Sequence, residues 1–417
     1  MPRLQSPREP VTIYLDGEAV IAERDEPAAV ALIAAGRLAL SRSPKFHRPR
    51  GPACLRAACD GCLARVDDVP NVMTCRVRAS EGMRIETQNV LGSRGTDLLR
   101  MADWFFPDGM NHHELFAGVP GVQTVMQALA RRVAGLGNLP RVPSPPRAAR
   151  RRDADVLVVG AGPAGMSAAV ELARCGRRVE VLDDDLAWGG SARAIQGDEA
   201  RPWGSLLNEF GEAVSALRVA VRLRATAAGV YGDDVLVSGD DGVEVVTART
   251  LVLAPGAHDG VLAFEGNDVP GVMSARAACH LLARGVTVGK RVVVVTVDGG
   301  GPYGAVYARA SPSARVLHGT LLRASGSGRV KAVTIATPEG PLRVSCDALL
   351  VDAPRAPAYE LCAQAGADLS HEPRGFVVRP RAGGRIRDGV FAVGEVVGTP
   401  LQPDSVAREA RAVAENA

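Results

Sequence analysis

Four cysteines constrain this chain more tightly than any other feature. Cys54, Cys59 and Cys62 stand at Cys-x4-Cys-x2-Cys spacing, and Cys75 follows after a gap of twelve residues. Thiolates are the ligands of iron–sulfur clusters. Three on one loop, with a fourth returning from elsewhere, make the set that holds a binuclear [2Fe–2S] cluster. Such a loop must wrap closely. Ala53, Ala57, Ala58 and Gly61 keep it narrow, so that backbone amides can reach the sulfurs. Two readings compete. Structural zinc also takes four cysteines, but only Cys59-Asp-Gly-Cys62 has the knuckle form. The other is a set of unligated thiols. Cys175, Cys279, Cys346 and Cys362 are scattered through apolar stretches and read as buried thiols. Eight cysteines in 417 residues are too sparse for a disulfide scaffold.

A second signal lies further along. Asp155-Val-Leu-Val-Val-Gly160-Ala-Gly162-Pro-Ala-Gly165 reads as a buried strand running into a GxGxxG turn, with a helix from Met166 to Cys175 and a second strand from Arg178 to Asp183. Gly160 permits the tight turn, Gly162 lets the backbone meet a pyrophosphate, and Gly165 lets helix and strand pack closely. Ala161, Pro163 and Ala164 complete the turn, and the helix N-terminus offers free N–H groups to phosphate. Asp183 lies eighteen residues past Gly165, where an acid meets a ribose hydroxyl, and Asp184 adjoins it. Gly190 and Ser191 follow at the place of a second phosphate contact. Gly389-Val-Phe-Ala-Val-Gly394-Glu395 reads as the strand whose terminal acid meets a flavin ribityl chain. The competing reading is a glycine turn in an unliganded α/β domain.

Around these motifs the chain is expected to be α/β and divided in three. Residues 1–92 carry a strand from Val11 to Asp16, a helix from Pro27 to Ala35, the cysteine loop and strands at Cys62–Val66 and Met83–Gln88, the order of a β-grasp ferredoxin-like domain. Residues 93–152 are expected to be a helical connector and linker, with helices at Leu98–Phe106 and Val122–Val133 and a proline-rich strap ending in Arg150-Arg-Arg152. Residues 153–417 form a Rossmann-like FAD/NAD(P)-binding domain closed by a helix from about Ser405, with 258–345 a reduced inserted subdomain. The net charge of +3 gives no reason to expect nucleic-acid binding. No apolar run spans a bilayer, and MPRLQSPREP has no apolar core of a leader, so a cytoplasmic protein is expected. His112-His113 reads as packing rather than a metal pair, and His258, after the Ala-Pro-Gly turn, as a surface polar residue more readily than a catalytic one.

These motifs together resemble the α (A) subunits of the heteromeric sarcosine oxidase, opine oxidase and D-hydroxyproline dehydrogenase family, to which hydrogen cyanide synthase is related. The carriers are Arg48-Pro-Arg-Gly51 before the cysteines, the four cysteines, Val158–Gly165, and Phe264-Glu-Gly-Asn-Asp-Val-Pro-Gly-Val-Met273. The resemblance implies a disulfide-reductase-type fold without the redox disulfide. It also implies a partner β subunit that carries its own FAD and oxidises the amine, FMN at the subunit interface, and FAD at the site of this chain, with NAD or ATP there in some relatives. The electron acceptor is not indicated.

Three departures stand out. Glu395 replaces the usual aspartate. Asp298-Gly-Gly-Gly-Pro-Tyr303 reads as a broken fingerprint, and no second strand ending in an acid is expected after the helix that runs to Ser311-Pro-Ser313, so this subdomain is not expected to bind NAD(P)H. The C-terminal folate-type extension of sarcosine oxidase α is not expected. The favoured function is electron transfer between flavin and a [2Fe–2S] cluster within a dehydrogenase acting on an amine, imino acid or opine. A self-contained NAD(P)H-dependent ferredoxin-type reductase and a non-catalytic scaffold with a structural dinucleotide remain as alternatives.

Overall fold

A computed structural model describes residues 3–105 apart from 45 and 89, the isolated positions 121, 122, 124, 125, 140 and 145, and residues 148–417 apart from 196. The expected helix at Val122–Val133 and the His112-His113 pair lie largely or wholly outside the described residues.

The first unit is a five-stranded mixed sheet in the order Glu18–Glu23, Pro10–Leu15, Arg84–Glu86, Leu63–Val66, Val69–Met73. Strict alternation in Pro10–Leu15 buries Val11, Ile13 and Leu15 on one face. The helix Ala28–Ala34 covers that face, and all seven of its residues are buried. A helix apolar all round must be buried all round. Here Ala28, Ala29, Ala31 and Leu32 face the sheet, while Val30, Ile33 and Ala34 join a second core with Met273, Ala278, Val294 and Tyr307.

The second unit is built on an eight-stranded sheet. Its parallel centre runs Ala220–Leu223, Val179–Asp183, Arg150–Val159 and the end of Gly242–Leu253, which Val390–Ala392 joins in parallel. Strands buried on both faces need near-continuous apolar runs, and Val156–Val159 supplies one. The helices Pro163–Arg174, Ala200–Leu217 and Pro403–Asn416 pack together on one side. Arg150–Arg152 are strand rather than linker. Their charges meet acids brought from far along the chain: Arg151 pairs with Asp234, and Arg152 and Arg222 both pair with Glu180 and Glu244.

The middle subdomain is more complete than its sequence implies. Four parallel strands run Val272–Ser274, Ala348–Asp352, Val292–Thr296, Arg315–Leu317. The second strand after the glycine turn therefore exists, although no acid closes it. The sheet also uses Ala348–Asp352, beyond residue 345. The helices Ala275–Leu282 and Tyr303–Ala310 cover one face and an antiparallel meander from Thr320 to Ser345 the other.

Candidate functional site

The cysteine loop is docked onto the second unit. Ser274 N donates to Ala53 O at 2.9 Å, Arg276 Nη2 to Cys54 O at 3.0 Å, and Arg56 Nη1 to Ala257 O at 2.6 Å. Within the loop Leu55 and Ala57 adopt left-handed backbone at φ 52° and 58°, a conformation that costs a residue with a side chain of order 1 kcal/mol or more. Between them the backbone N–H of Arg56 is aimed at Cys54 Sγ, 3.4 Å away. Gly61 packs so closely that a Cβ there would lie 1.8 Å from Gly51 O.

The four thiols form two pairs. Cys54 Sγ lies 3.4 Å from Cys59 Sγ, and Cys62 hydrogen-bonds Cys75. The bond from Cys54, opposed by burial and assisted by backbone groups of Ala53 and Gly61, pulls the Cys59 thiol down to about 6. Cys75 is lowered by Cys62, with help from the backbone of Ala57 and the charge of Arg76. Ligation requires thiolates; within each pair one thiol is lowered while its partner, Cys54 or Cys62, is raised by the same bond and by burial. Among the described residues, no three His, Cys, Asp or Glu side chains close on a point as a single-ion cage. Three thiols on a narrow amide-lined loop, with Cys75 brought beside them by the Thr74–Arg76 turn, fit a binuclear cluster.

The dinucleotide turn is formed as its glycines require. Gly160 has φ +108°, and a Cβ there would lie 2.2 Å from Ala254 O; one on Gly165 would lie 1.9 Å from Gly160 O. Gly162, by contrast, faces open space. Pro163 starts the helix and Ala161 N donates to Asp183 at 2.6 Å. Asp183 also accepts from Asp185 N at 2.7 Å, and burial, with Asp184 nearby, pushes it up to about 6. Asp183 thus braces the turn. Its neighbour Asp184 points out, half exposed, and pairs with Arg76 at 2.7 Å. Both acids line the same cavity, Asp183 with its carboxylate engaged by the turn and Asp184 with the more exposed one.

Gly190 and Ser191 sit beside Gly162 on a short 3-10 turn, and a Cβ on Gly190 would lie 3.0 Å from Gly162 Cα. Gly394 N donates to Glu409 Oε2 at 2.8 Å. Arg355 Nη1 donates to both carboxylate oxygens of Glu395 at 2.7 and 2.9 Å, and Arg355 Nη2 donates to Ser191 Oγ at 3.0 Å and Ala257 O at 2.8 Å. Arg355 is a site residue that sequence reasoning missed, since nothing local marks it. Gly160, Gly162, Pro163, Ala164, Asp183, Asp184, Gly190, Ser191, Gly394 and Glu395 line one cavity of about 300 Å³, and so do Leu55, Arg56, Cys75 and Arg76 of the first unit. His258 lies on its wall, its Nδ1 buried without a partner among the described residues. Burial, with the charge of Arg56, lowers its pKa.

The second glycine turn is different in a way the sequence misreads. Gly299, Gly301 and Gly304 stand at full GxGxxG spacing, but Val297 and Asp298 separate them from the end of the strand at Thr296. Pro302 precedes the Tyr303–Ala310 helix much as Pro163 opens the first. Yet Asp352 Oδ1 accepts from Gly301 N at 3.1 Å, and Asp352 Oδ2 from Gly304 N at 2.7 Å. A buried carboxylate occupies the helix-terminal N–H groups that would otherwise receive phosphate. Burial pushes Asp352 up to about 6 despite these donors.

Comparison with known proteins matches this arrangement. Residues 8–90 match a 2Fe-2S iron-sulfur cluster binding domain, and residues 154–326 a pyridine nucleotide-disulphide oxidoreductase domain. The alpha subunit of sarcosine oxidase from Rhizobium meliloti (strain 1021) is 30% identical over 318 residues, 69% of this chain and 32% of that protein. The chain is homologous to sarcosine oxidase alpha subunits. An opine oxidase subunit of Agrobacterium tumefaciens (strain Ach5) is 34% identical over 140 residues, 30% of this chain and 28% of that one. The chain therefore spans about a third of the length of the curated relatives it matches. The crystal structure of L-proline dehydrogenase from P. horikoshii covers 99% of this chain and 74% of its own at TM-score 0.72 and 23% identity, a likeness of fold. The chain is a flavoprotein oxidoreductase homologue whose two matched domains carry [2Fe–2S] and FAD. Among the described residues no helix is long and apolar enough to cross a membrane.

Proposed function

We propose that this chain is the electron-transfer subunit of a heteromeric flavin-dependent dehydrogenase or oxidase that acts on an amine, imino acid or opine. Its relatives are subunits of oxidases, and a β-type FAD-containing partner would oxidise the substrate. The observation that carries the relay is the shared cavity, walled on one side by the glycine turn and on the other by Leu55, Arg56 and Cys75. Cys54, Cys59, Cys62 and Cys75 would hold the cluster. Gly160–Gly165, Asp184, Gly190 and Ser191 would hold the dinucleotide phosphates and ribose, with Glu395 next to the ribityl chain. When bound, FAD takes up an electron pair and the cluster passes on single electrons; the protein's part is placement and tuning. Gly162 leaves its side of the turn open, Asp183 braces the turn, and Arg76 fixes Asp184 beside Cys75.

The NAD(P)H-dependent reductase reading draws on the complete glycine turn at Gly299–Gly304. Asp352, seated on that turn, counts against it. Anaerobic spectroscopy of the purified full chain separates the two. A relay shows iron, acid-labile sulfide and flavin, is reduced by dithionite, and stays oxidised with NADH or NADPH. Rapid reduction by either nucleotide refutes the relay-only reading, and absence of iron refutes both.

A further inference from the structure

We propose that Arg56 sets the reduction potential of the cluster in the cysteine loop, acting as a positive charge, with no carboxylate at ion-pair distance among the described residues, between the thiolates and the dinucleotide cavity. The proposal rests on the cluster reading above. Arg56 lies within the ligand loop, between Cys54 and Cys59, and its own N–H points at Cys54 Sγ. The left-handed backbone at Leu55 and Ala57 frames it on both sides. Its guanidinium leaves the first unit altogether, bonds Ala257 O at 2.6 Å, and lines the shared cavity.

The surrounding cations differ from it in one respect. Arg276 is clamped to Asp259 by two bonds of 2.7 Å, Arg355 is clamped to Glu395, and Arg76 pairs with Asp184 and Asp185. Asp259, pushed up by burial but drawn down further by Arg276, Arg355 and Arg56, is held well below the usual carboxylate range. It is therefore a fixed negative charge. Arg56 meets a carbonyl and no carboxylate at ion-pair distance among the described residues. Reducing a four-thiolate [2Fe–2S] centre adds one electron and one negative charge, and net charge and hydrogen bonds to the sulfurs set its potential. A fixed cation in a poorly solvated wall stabilises that added charge more than it would in water. Arg56 thus favours the cluster as the electron sink for whatever occupies the cavity.

A purely structural Arg56, pinning the loop to Ala257, predicts no dependence on the sign of charge. The test is an EPR-monitored redox titration of the full chain, comparing wild type with Arg56→Gln and Asp259→Asn. Arg56→Gln removes a positive charge and is expected to lower the reduction equilibrium constant about tenfold, which is about 59 mV for one electron. Asp259→Asn frees the charge of Arg276 and is expected to shift the midpoint upward. Shifts of the same sign, or an unchanged midpoint in Arg56→Gln, overturn the proposal. Should Arg56→Gln fail to load, Arg56→His decides: a midpoint that falls, relative to wild type, as the imidazole loses its proton supports the proposal, and one that tracks wild type across pH overturns it. Wild-type protein without iron, sulfide or an EPR signal fails the cluster reading instead, so the two failures are distinct.

Discussion

Replacing Asp352 with asparagine tests whether burial or hydrogen bonding governs the acid seated on the second glycine turn. Two N–H donors favour its ionised form, and burial opposes ionisation; the balance falls to burial, from 3.8 to about 6. At about 1.36 kcal/mol per pH unit, that rise corresponds to roughly 3 kcal/mol against the folded state once the group is ionised. The direction follows from proton counting. Between pH 4 and 6 the folded chain binds more protons at this site than the unfolded chain, so stability falls as pH rises through that window and levels off above it. Asparagine does not titrate. The stability of Asp352→Asn minus that of wild type is therefore expected to grow by about 2 to 3 kcal/mol from pH 4 to pH 7. Urea unfolding followed by circular dichroism at a series of pH values measures this. Subtracting one protein from the other cancels Asp183, which is raised for similar reasons and present in both. A difference that stays flat, or slopes the other way, would mean that the Gly301 and Gly304 donors outweigh burial, and the reasoning fails.

Three further outcomes are expected. Gly162→Val should fold normally, because no atom lies within 4 Å of the added Cβ, yet lose extractable flavin; Gly165→Val, driven against Gly160 O, should lose the fold itself. Cys62→Ser should abolish the visible iron–sulfur absorption and the acid-labile sulfide; a variant that keeps both would remove Cys62 from the ligand set. Arg152→Met should cost about 1 kcal/mol or less at low ionic strength, and the loss should shrink in high salt, since its partners Glu180 and Glu244 are only part-buried.

The parts of the fold readable in advance were those written in short windows. Alternation marked Pro10–Leu15, a continuous apolar run marked Val156–Val159, and the first glycine turn sat in register with its strand and helix. The features that escaped depend on distant partners or on orientation. Arg150–Arg152 looked like the end of a linker because Glu180, Asp234 and Glu244 are nowhere near them in sequence. The sequence put Asp183 at the ribose position with Asp184 only adjoining it, and only the folded turn shows Asp183 bracing Ala161 N while Asp184 is half exposed and paired with Arg76. Val297 and Asp298 disguised a complete GxGxxG by separating it from the end of its strand. Asp352, which fills that turn, arrives from a strand that follows an entire three-stranded meander. Arg355 carries no local mark at all, although it gathers Ser191 and Glu395 into one network.

The helix Ala28–Ala34 bears on how the protein is made. Val30, Ile33 and Ala34 belong to a core otherwise built from residues 38 and 192–350, most of it translated long after the β-grasp sheet is complete. On the ribosome the first unit must therefore wait with Val30 and Ile33 bare, a state open to misassociation. The same dependence argues against expressing the iron–sulfur unit as a stand-alone fragment ending near residue 92: the cut would leave a permanently greasy helix face. A soluble excised version would need polar replacements at Val30 and Ile33, positions that the intact chain needs apolar.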